Sequence, residues 1–363
     1  MRPALGASLP LALALAGGVA CLAPGVRRAE LPAASIAVRY YDPESARRHR
    51  EDFLAQAPGA GAPAGREGVA RLEDVGRYLG GVLGAGAGGA GALLEARGYR
   101  HEPDERSPRL ALLDPRSGEL ELLPGARRGS VPLDWSADRR RLLFSQIARG
   151  YPQLFEYDRE TGEVRPLTRE PHAHPGGCYG PGGRLVVATF DATRRPPVQR
   201  LEMSEPGGAG FEPLTEGPAD AQPACAPDGG AIAYIRGAAG GEGELVVRAP
   251  VSDGESRGLG PGRDPRFSSD GAWLVYSASV GTRGRGEGGR LWQLRRIQVN
   301  GLARTSLGQG ALDEREPAFS PDGSLIAYVG IDAQLRRLLY VRRSDGSGDR
   351  LLFEDGEALG PVW

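Results

Sequence analysis

A turn motif that recurs along the sequence constrains the fold more than any other feature. The stretch "REPAFSPDGSLIAYVG" at residues 315–330 joins two strand-like runs through a Ser-Pro-Asp-Gly turn. A single hairpin is marginally stable in water, so other elements must cover its apolar face. Related stretches place an aromatic or cysteine residue at intervals of 42 to 52 residues, at Trp135, Tyr179, Cys225, Phe267, Phe319 and Trp363. Such a period indicates a propeller or another repeat array.

Each copy of the motif is followed by a second hairpin, which predicts four strands per repeat, as in a β-propeller blade. One blade is divided between the two ends of the chain. "GALLEARGY" from Gly91 and "RLALLDPRSGELELLPG" from Arg109 predict its second to fourth strands, and "LGPVW" at the C-terminus predicts its innermost strand. The sequence therefore predicts an all-β fold over residues 91–363, a six-bladed propeller closed by the C-terminal strand, which leaves no open sheet edge at the junction.

The segment "PAFSPDGSLIAY" resembles the TolB-type, WD40-like propeller repeat of bacterial envelope proteins. The resemblance covers residues 91–363 and implies the propeller fold. It does not imply one function, because the repeat also resembles propellers attached to serine peptidases. Gly182 replaces the turn aspartate in one copy, Cys225 replaces an aromatic residue in another, and the N-terminal region is shorter than the α/β domain of TolB. The resemblance thus implies a TolB-like propeller.

Residues 1–21 have the pattern of a bacterial signal peptide. Arg2 precedes an apolar run from Leu9 to Ala20, which is too short to span a bilayer, and small residues follow it. "GVAC" resembles the lipobox of lipoproteins, which would make Cys21 the lipid attachment site; ordinary cleavage near the same point remains the alternative. Both interpretations predict export to the periplasm or to a lipid-anchored position on the envelope, with membrane contact only through the anchor.

Residues 22–90 predict a short α/β appendage, a strand-helix-helix region with Gly/Ala-rich linkers. "SIAVRYY" is strand-like, and Asp42 followed by Pro43 predicts a helix that runs to about Gln56. Residues 69–82 carry apolar side chains at helical spacing. Two short helices do not make an independent core, so this region either docks on the propeller or stays mobile.

Three motif matches favour structural interpretations. "GESRG" around Ser256 matches a nucleophile elbow, but it lies in a predicted outer hairpin and no histidine follows it. "GAGAGG" at residues 84–89 lacks the surrounding strand–helix unit of a dinucleotide site. His172 and His174 are expected in a solvated loop rather than at a metal.

Cys178 and Cys225 fall in inner strands of neighbouring predicted blades. Export permits a disulfide. Because adjacent blades splay apart, two buried free thiols are expected instead.

Composition excludes several kinds of chemistry. All 45 basic residues are arginine, so no lysine is present for a P-loop, a Schiff base or a Ser-Lys dyad. A net charge of −1 does not indicate nucleic-acid binding. One asparagine and no histidine after residue 174 disfavour a metal-dependent propeller enzyme. We predict a monomeric, non-catalytic scaffold without metal or cofactor that binds an envelope protein, peptide or glycan. A propeller enzyme (lactonase, lyase or peptidase-associated) with its site at the channel mouth remains the alternative.

The predicted partner-binding face combines two sets of loops. Loops that enter the innermost strands carry acidic residues, expected as an exposed negative ring at the channel mouth. Loops between second and third strands carry arginines further from the axis. The candidate contact residues are Asp220, Asp264, Asp313, Glu316, Arg285 and Arg336.

Overall fold

A computed structural model describes most of the chain. The described residues are 25–56, 103–169, 172–191, 198–205, 210–217, 219–237, 243–249, 254–282, 290–308, 313–332 and 334–363. Cys21, Arg285, the second predicted helix and the "GAGAGG" stretch lie outside them. No helix within these ranges has the length and apolarity of a membrane span.

Antiparallel β-strands dominate the structure, as the alternating sequence pattern predicts. A single α-helix, α1 (Pro43–Gln56), is found in the described ranges, with Asp42 as its N-cap: the Asp42 carboxylate accepts a hydrogen bond from the backbone N–H of Ser45 at 3.0 Å. In chain order the strands are β1 (Ile36–Tyr41), β2 (Arg109–Leu113), β3 (Leu120–Leu122), β4 (Val131–Trp135), β5 (Arg141–Ala148), β6 (Tyr151–Asp158), β7 (Val164–Pro166), β8 (Ala173–Tyr179), β9 (Leu185–Asp191), β10 (Val198–Ser204), β11 (Phe211–Pro213), β12 (Ala221–Cys225), β13 (Ile232–Arg236), β14 (Gly243–Arg248), β15 (Ser256–Phe267), β16 (Trp273–Thr282), β17 (Arg290–Gln298), β18 (Arg304–Ser306), β19 (Asp313–Phe319), β20 (Leu325–Ile331), β21 (Arg337–Arg343), β22 (Arg350–Phe353) and β23 (Glu357–Val362).

The strands form four-stranded sheets in which sequence neighbours pair. These sheets are β4-β5-β6-β7, β8-β9-β10-β11, β19-β20-β21-β22 and β23-β1-β2-β3. The seven strands from β12 to β18 form one continuous sheet, because the long β15 takes part in two sets. Its first part pairs with β14 up to Gly262, and its last part, from Arg263, pairs with β16. The architecture is that of an all-β, propeller-like fold.

The Ser-Pro-Asp-Gly motif forms the tight turn that the sequence predicts. Ser320 closes the β19–β20 hairpin twice: its backbone N–H donates to the carbonyl of Leu325, and its Oγ accepts from the backbone N–H of Leu325, both at 2.9 Å. Asp322 accepts a hydrogen bond from the N–H of Ser324 at 3.1 Å, and Gly323 adopts the positive φ of 71°. Local hydrogen bonds therefore account for the recurrence of this motif.

The strand that precedes β2 in its sheet differs from the prediction. β1, from the segment expected in the appendage, pairs with β2 on one side and with β23 on the other. It occupies the place expected for residues 91–99, which lie outside the described residues. Burial explains this position. Ile36, Ala37, Val38 and Arg39 are all buried, so the backbone N–H and C=O groups of β1 need hydrogen-bond partners in strands on both sides. The sheet structure thus reaches into the region N-terminal to residue 91.

The described N-terminal segment packs on the sheets instead of extending away from them. The carbonyl of Ala34 accepts a hydrogen bond from Trp363 Nε1 at 2.9 Å. In α1, Arg50 forms a 3.0 Å ion pair with buried Glu357 of β23. The predicted first helix is therefore docked.

Apolar clusters fill the spaces between consecutive sheets. One joins Val38 and Ala358 of the β23-β1-β2-β3 sheet to Ala327 and Leu339 of the preceding sheet. Another joins Val362 to Phe144 of β5, in the sheet that follows. Each sheet packs with one face on the preceding sheet and with the other on the following sheet. This packing explains why most central strands are buried on both faces.

Candidate functional site

A backbone bulge recurs in the first strand of the sheets. The register shifts lie between Ala221 and Ala224 in β12, between Arg263 and Arg266 in β15, and between Arg315 and Ala318 in β19. The residue before proline in each bulge, Gln222, Asp264 or Glu316, has a φ of 53°, 54° or 50°. Such left-handed conformations cost about 1–3 kcal/mol each in a residue other than glycine, so surrounding contacts must hold them.

The bulges line a cavity of about 110 Å³ to which first strands from every described sheet contribute. We call it the central cavity. Its polar lining consists of Arg39, Gln199, Gln222, Asp264, Arg266 and Glu316. Prolines that follow or precede the bulges form much of the remaining wall: Pro132, Pro175, Pro223, Pro317 and Pro361. The cavity is small, and its wall combines prolines with charged and amide side chains.

Glu316 is held by two partners in the cavity wall. Its Oε1 lies 2.6 Å from Nη2 of Arg39, and its Oε2 accepts a hydrogen bond from the backbone N–H of Gly360 at 2.7 Å. Burial opposes ionisation of Glu316, but Arg39 and the N–H of Gly360 outweigh burial and lower its pKa. Glu316 is therefore an ionised carboxylate whose charge Arg39 balances.

Asp264 is likewise occupied. The side-chain amide of Gln222 donates to its Oδ1 at 2.9 Å and accepts from its backbone N–H at 2.8 Å. Oδ2 lies 2.9 Å from Nε of Arg263. The hydrogen bonds with Gln222 join the bulges of two successive four-strand sets, and the positive charge of Arg263 balances the carboxylate of Asp264.

A third acidic group, Asp134 of β4, interacts electrostatically with Arg266. Burial raises the pKa of Asp134 to about 6, against the opposing effects of a hydrogen bond from the backbone N–H of Tyr179 and the positive charge of Arg266. The Tyr179 bond is 2.9 Å long. Among the described residues, the one hydrogen bond made by the guanidinium of Arg266 is a 3.4 Å contact with the carbonyl of Pro265.

None of the four acidic residues predicted as an exposed ring is exposed: Asp220 and Asp313 are buried, and Asp264 and Glu316 are half-buried. Asp313 is 1% exposed and lies 2.6 Å from Nε of Arg315; burial raises its pKa even against that arginine. Asp220 is 3% exposed and lines a separate cavity beside Tyr234 and Arg236. The expectation of an exposed negative ring was therefore wrong for these residues and for Asp264 and Glu316, because the strands and bulges direct the carboxylates against arginines or into the interior.

The basic candidates have a different environment. Arg336 precedes β21, has a side chain that is 53% exposed, and forms a 2.7 Å ion pair with Asp332 four residues earlier. Arg285 lies outside the described residues. Arg336 alone among the described candidates is an exposed side chain, so the predicted contact face remains a proposal.

Cys178 and Cys225 form a disulfide, which corrects the prediction of two free thiols. Their Cα atoms are 5.7 Å apart, within disulfide reach. The prediction failed because it assumed that neighbouring blades splay apart at these positions, whereas β8 and β12 lie within disulfide distance of each other.

His174 is also placed differently from the prediction. It lies within β8, is 1% exposed and stacks on Phe211 with ring centroids 5.8 Å apart, whereas a solvated loop was expected. Burial lowers its pKa to about 4. Ser256 begins β15 at an exposed position in an outer hairpin, as predicted. Within the described ranges, no three His, Cys, Asp or Glu side chains form a potential metal site.

Sequence reasoning missed most of the cavity wall. A usable signal existed for three residues, because Gln222, Asp264 and Glu316 each precede a proline at the same repeat position. No local signal marks Arg39 or Gln199, which reach the cavity from strands outside the motif.

Comparisons with known proteins agree with this architecture. No family model matches the sequence. The Tol-Pal system protein TolB of Anaeromyxobacter dehalogenans is 29% identical over 189 residues, which cover 46% of this chain and 43% of that protein. The uncharacterized peptidase YuxL of Bacillus subtilis is 28% identical over 172 residues, which cover 45% of this chain and 24% of YuxL. This chain spans less than half the length of these relatives.

Among solved structures, TolB from Acinetobacter baumannii superposes with a TM-score of 0.57 at 19% identity, covering 72% of this chain and 63% of that one. The chain is a TolB-like β-propeller protein. A putative TolB from Agrobacterium tumefaciens gives a TM-score of 0.54 at 17% identity, covering 68% and 89% of the two chains. The resemblance inferred from "PAFSPDGSLIAY" is thus confirmed. At these identities the structural likeness shows the fold alone. Hydrazine synthase from Kuenenia stuttgartiensis, a protein with a different name and activity from TolB, superposes on this chain with a similar TM-score of 0.55 at 15% identity.

Proposed function

We propose that this TolB-like protein is an exported binding scaffold of the bacterial envelope, built as a six-bladed propeller that β23 closes. Three observations support the closure. β23 pairs with β1, apolar clusters connect their sheet to both its neighbours, and the central cavity is lined from all the sheets. A closed ring is rigid and keeps its sheet edges paired, which suits a platform that presents loops to a partner.

Sequence similarity to TolB of the Tol-Pal system carries the proposal, because it extends over 189 residues. The signal-like segment at residues 1–21, with Cys21 as a candidate lipid attachment site, supports export. The partner in this proposal is an envelope protein or peptide, and a glycan is the alternative ligand. The protein acts as a monomer without a cofactor.

Binding fits the cavity chemistry better than catalysis. A general acid or base needs a carboxyl group that is free to exchange a proton with a substrate. Glu316 and Asp264, the two carboxylates in the cavity wall, are each engaged by an arginine and by a second hydrogen-bond donor. One enzymatic alternative has specific support, a propeller that accompanies a peptidase, since YuxL is similar to this chain over 24% of its own length.

The proposed contact face comprises the loops that carry Arg285 and Arg336. The test is capture of envelope proteins by the purified exported chain, compared with the double variant Arg285→Glu, Arg336→Glu. Charge reversal at an electrostatically complementary face should slow association and reduce its salt dependence.

A matched control reverses a charge in a Ser-Asp turn instead. Arg140 lies between β4 and β5 and its side chain is 67% exposed, so Arg140→Glu should leave capture unchanged. Loss of capture with Arg140→Glu but not with the double variant would move the binding face to the turns. Hydrolysis of a mixed peptide library by the purified wild-type protein would contradict the non-catalytic proposal.

A further inference from the structure

Arg266 is an arginine of the central cavity without an acidic partner. Among the described residues, no carboxylate lies within ion-pair distance of its guanidinium, and its Nε atom has no hydrogen-bond partner. The other charged cavity residues have partners: Arg39 pairs with Glu316, and Asp264 pairs with Arg263. Arg266 is therefore the one charged residue of the described cavity wall that has no ion-pair partner.

Two further hydrogen-bond donors of the central cavity also lack an acceptor in the described part of the chain. Nε of Arg39 and the side-chain nitrogen of Gln199 are both buried and, within the described ranges, without a hydrogen-bond acceptor. Arg39 is 6% exposed and Gln199 is 8% exposed, and both line the same cavity as Arg266. A buried donor without an acceptor destabilises the folded protein, so an acceptor on a ligand would be bound favourably at this wall.

The acceptors nearby are already occupied. Glu316 accepts from Arg39 and Gly360, and Asp264 accepts from Gln222 and Arg263. Asp134, which is coupled to Arg266 through space, accepts from the backbone N–H of Tyr179. The wall therefore offers unpaired donors and one arginine without an ion-pair partner among the described residues, whereas a cation would meet only carboxylates that are already paired.

We propose that the central cavity binds a carboxylate group carried by a polypeptide, with Arg266 as its principal anchor. A cavity of about 110 Å³ accommodates a small planar group on an extended peptide but not a folded domain. The guanidinium fork of arginine matches a carboxylate, and a single negative charge balances the single unpaired cation. A phosphate dianion would place its second charge beside Asp264 and Glu316. This inference rests on the proposed binding function and specifies the chemistry of the bound group.

The absence of lysine from the sequence provides a direct probe. Arg266→Lys introduces the only lysine, so its side-chain ¹³Cε resonance is a single reporter inside the cavity. The ligands are acetyl-Ala-Ala-Ala with a free C-terminus, the same peptide as its C-terminal amide, the amidated peptide acetyl-Ala-Glu-Ala, and inorganic phosphate. A saturable shift of this resonance with the free acid or with the glutamate peptide, but not with the alanine amide, is the expected result. A response to the free-acid peptide alone would identify the C-terminal carboxylate of a polypeptide as the bound group. A response to the amidated glutamate peptide would identify the side-chain carboxylate of an acidic residue.

Calorimetry on the full exported protein measures the contribution of Arg266. A hydrogen bond to a charged group contributes about 1.5–3 kcal/mol, so Arg266→Gln should weaken binding of the responsive peptide about tenfold or more. Arg140→Gln, which removes an exposed turn arginine that lies 3.6 Å from Glu160, is the matched control and should leave the affinity unchanged.

Equal binding by wild type and Arg266→Gln, a response to the alanine amide, or tighter binding of phosphate would each overturn the carboxylate site. These outcomes are separate from the capture experiment above. Capture that depends on Arg285 and Arg336 but not on Arg266 would keep the scaffold function while removing the cavity from it.

Discussion

The Cys178–Cys225 disulfide joins the first strands of two consecutive sheets, and its removal should destabilise the protein measurably. The bridge closes a loop with a sequence separation of 47 residues. In the chain-entropy model, a loop of that length restricts the unfolded chain by about 4 kcal/mol at 25 °C. With an unfolding entropy of about 2.1 cal/mol/K per residue over 363 residues, this corresponds to a fall in Tm of about 5 °C.

The assay compares urea unfolding of the oxidised wild type with that of Cys178→Ala/Cys225→Ala under identical conditions. Thiol alkylation of the unfolded wild type, with and without reductant, checks that the bridge is present. The reduced wild type serves as the control, because it keeps both sulfur atoms and lacks only the bridge. If oxidised and reduced wild type unfold at the same urea concentration, or if both cysteines are alkylated without reductant, the strands do not approach as the structure shows.

Three further predictions concern the closing strand, the cavity and pH. Trp363 is 7% exposed and bonded to the carbonyl of Ala34, so Trp363→Ala should lower the free energy of unfolding by about 3–5 kcal/mol; an unchanged urea midpoint would argue against closure by β23. Glu316→Ala leaves Arg39 buried without its acid and should cost about 3–5 kcal/mol by the same assay, whereas a cost below about 1 kcal/mol would show that the pair is exposed to solvent. Because burial lowers the pKa of His174 to about 4, the unfolded chain binds more protons than the folded chain between pH 6.5 and 4. Stability is therefore lost as the pH falls through that window, by about 3 kcal/mol, and His174→Gln should flatten this part of the pH profile while the control His172→Gln retains it.

The sequence was sufficient for features that depend on short segments. The Ser-Pro-Asp-Gly turns bond within themselves, as Ser320 and Asp322 show, so their positions could be predicted from neighbouring residues alone. The same holds for Asp42 at the start of α1. Alternating apolar residues predicted the β-strands, because this pattern is a property of each short segment and does not depend on where the strand lies in the fold.

The chemistry of the cavity could be predicted only in part. The repeated X-Pro position marked Gln222, Asp264 and Glu316, but the sequence does not show that a bulge turns them into a cavity or that each meets a partner there. The prediction of exposed carboxylates failed because loop residues are usually solvated, whereas Asp264 and Glu316 lie at bulges inside strands and Asp313 begins a strand.

The sequence by itself determined that this protein forms repeated four-strand units, because turn chemistry and apolar period are local properties. The count of these units also predicted that the C-terminal strand joins a sheet near the start of the chain. Only the tertiary structure decided which N-terminal strand fills the place beside β23, that Cys178 reaches Cys225, and that Arg39 meets Glu316 across 277 residues. These outcomes depend on how neighbouring sheets pack, and the clusters between the sheets join side chains that are remote in the sequence. Arg266 illustrates the difference most clearly: its sequence context "DPRF" is that of any first strand, and its lack of an acidic partner among the described residues emerges only when all the strands around the cavity are in place.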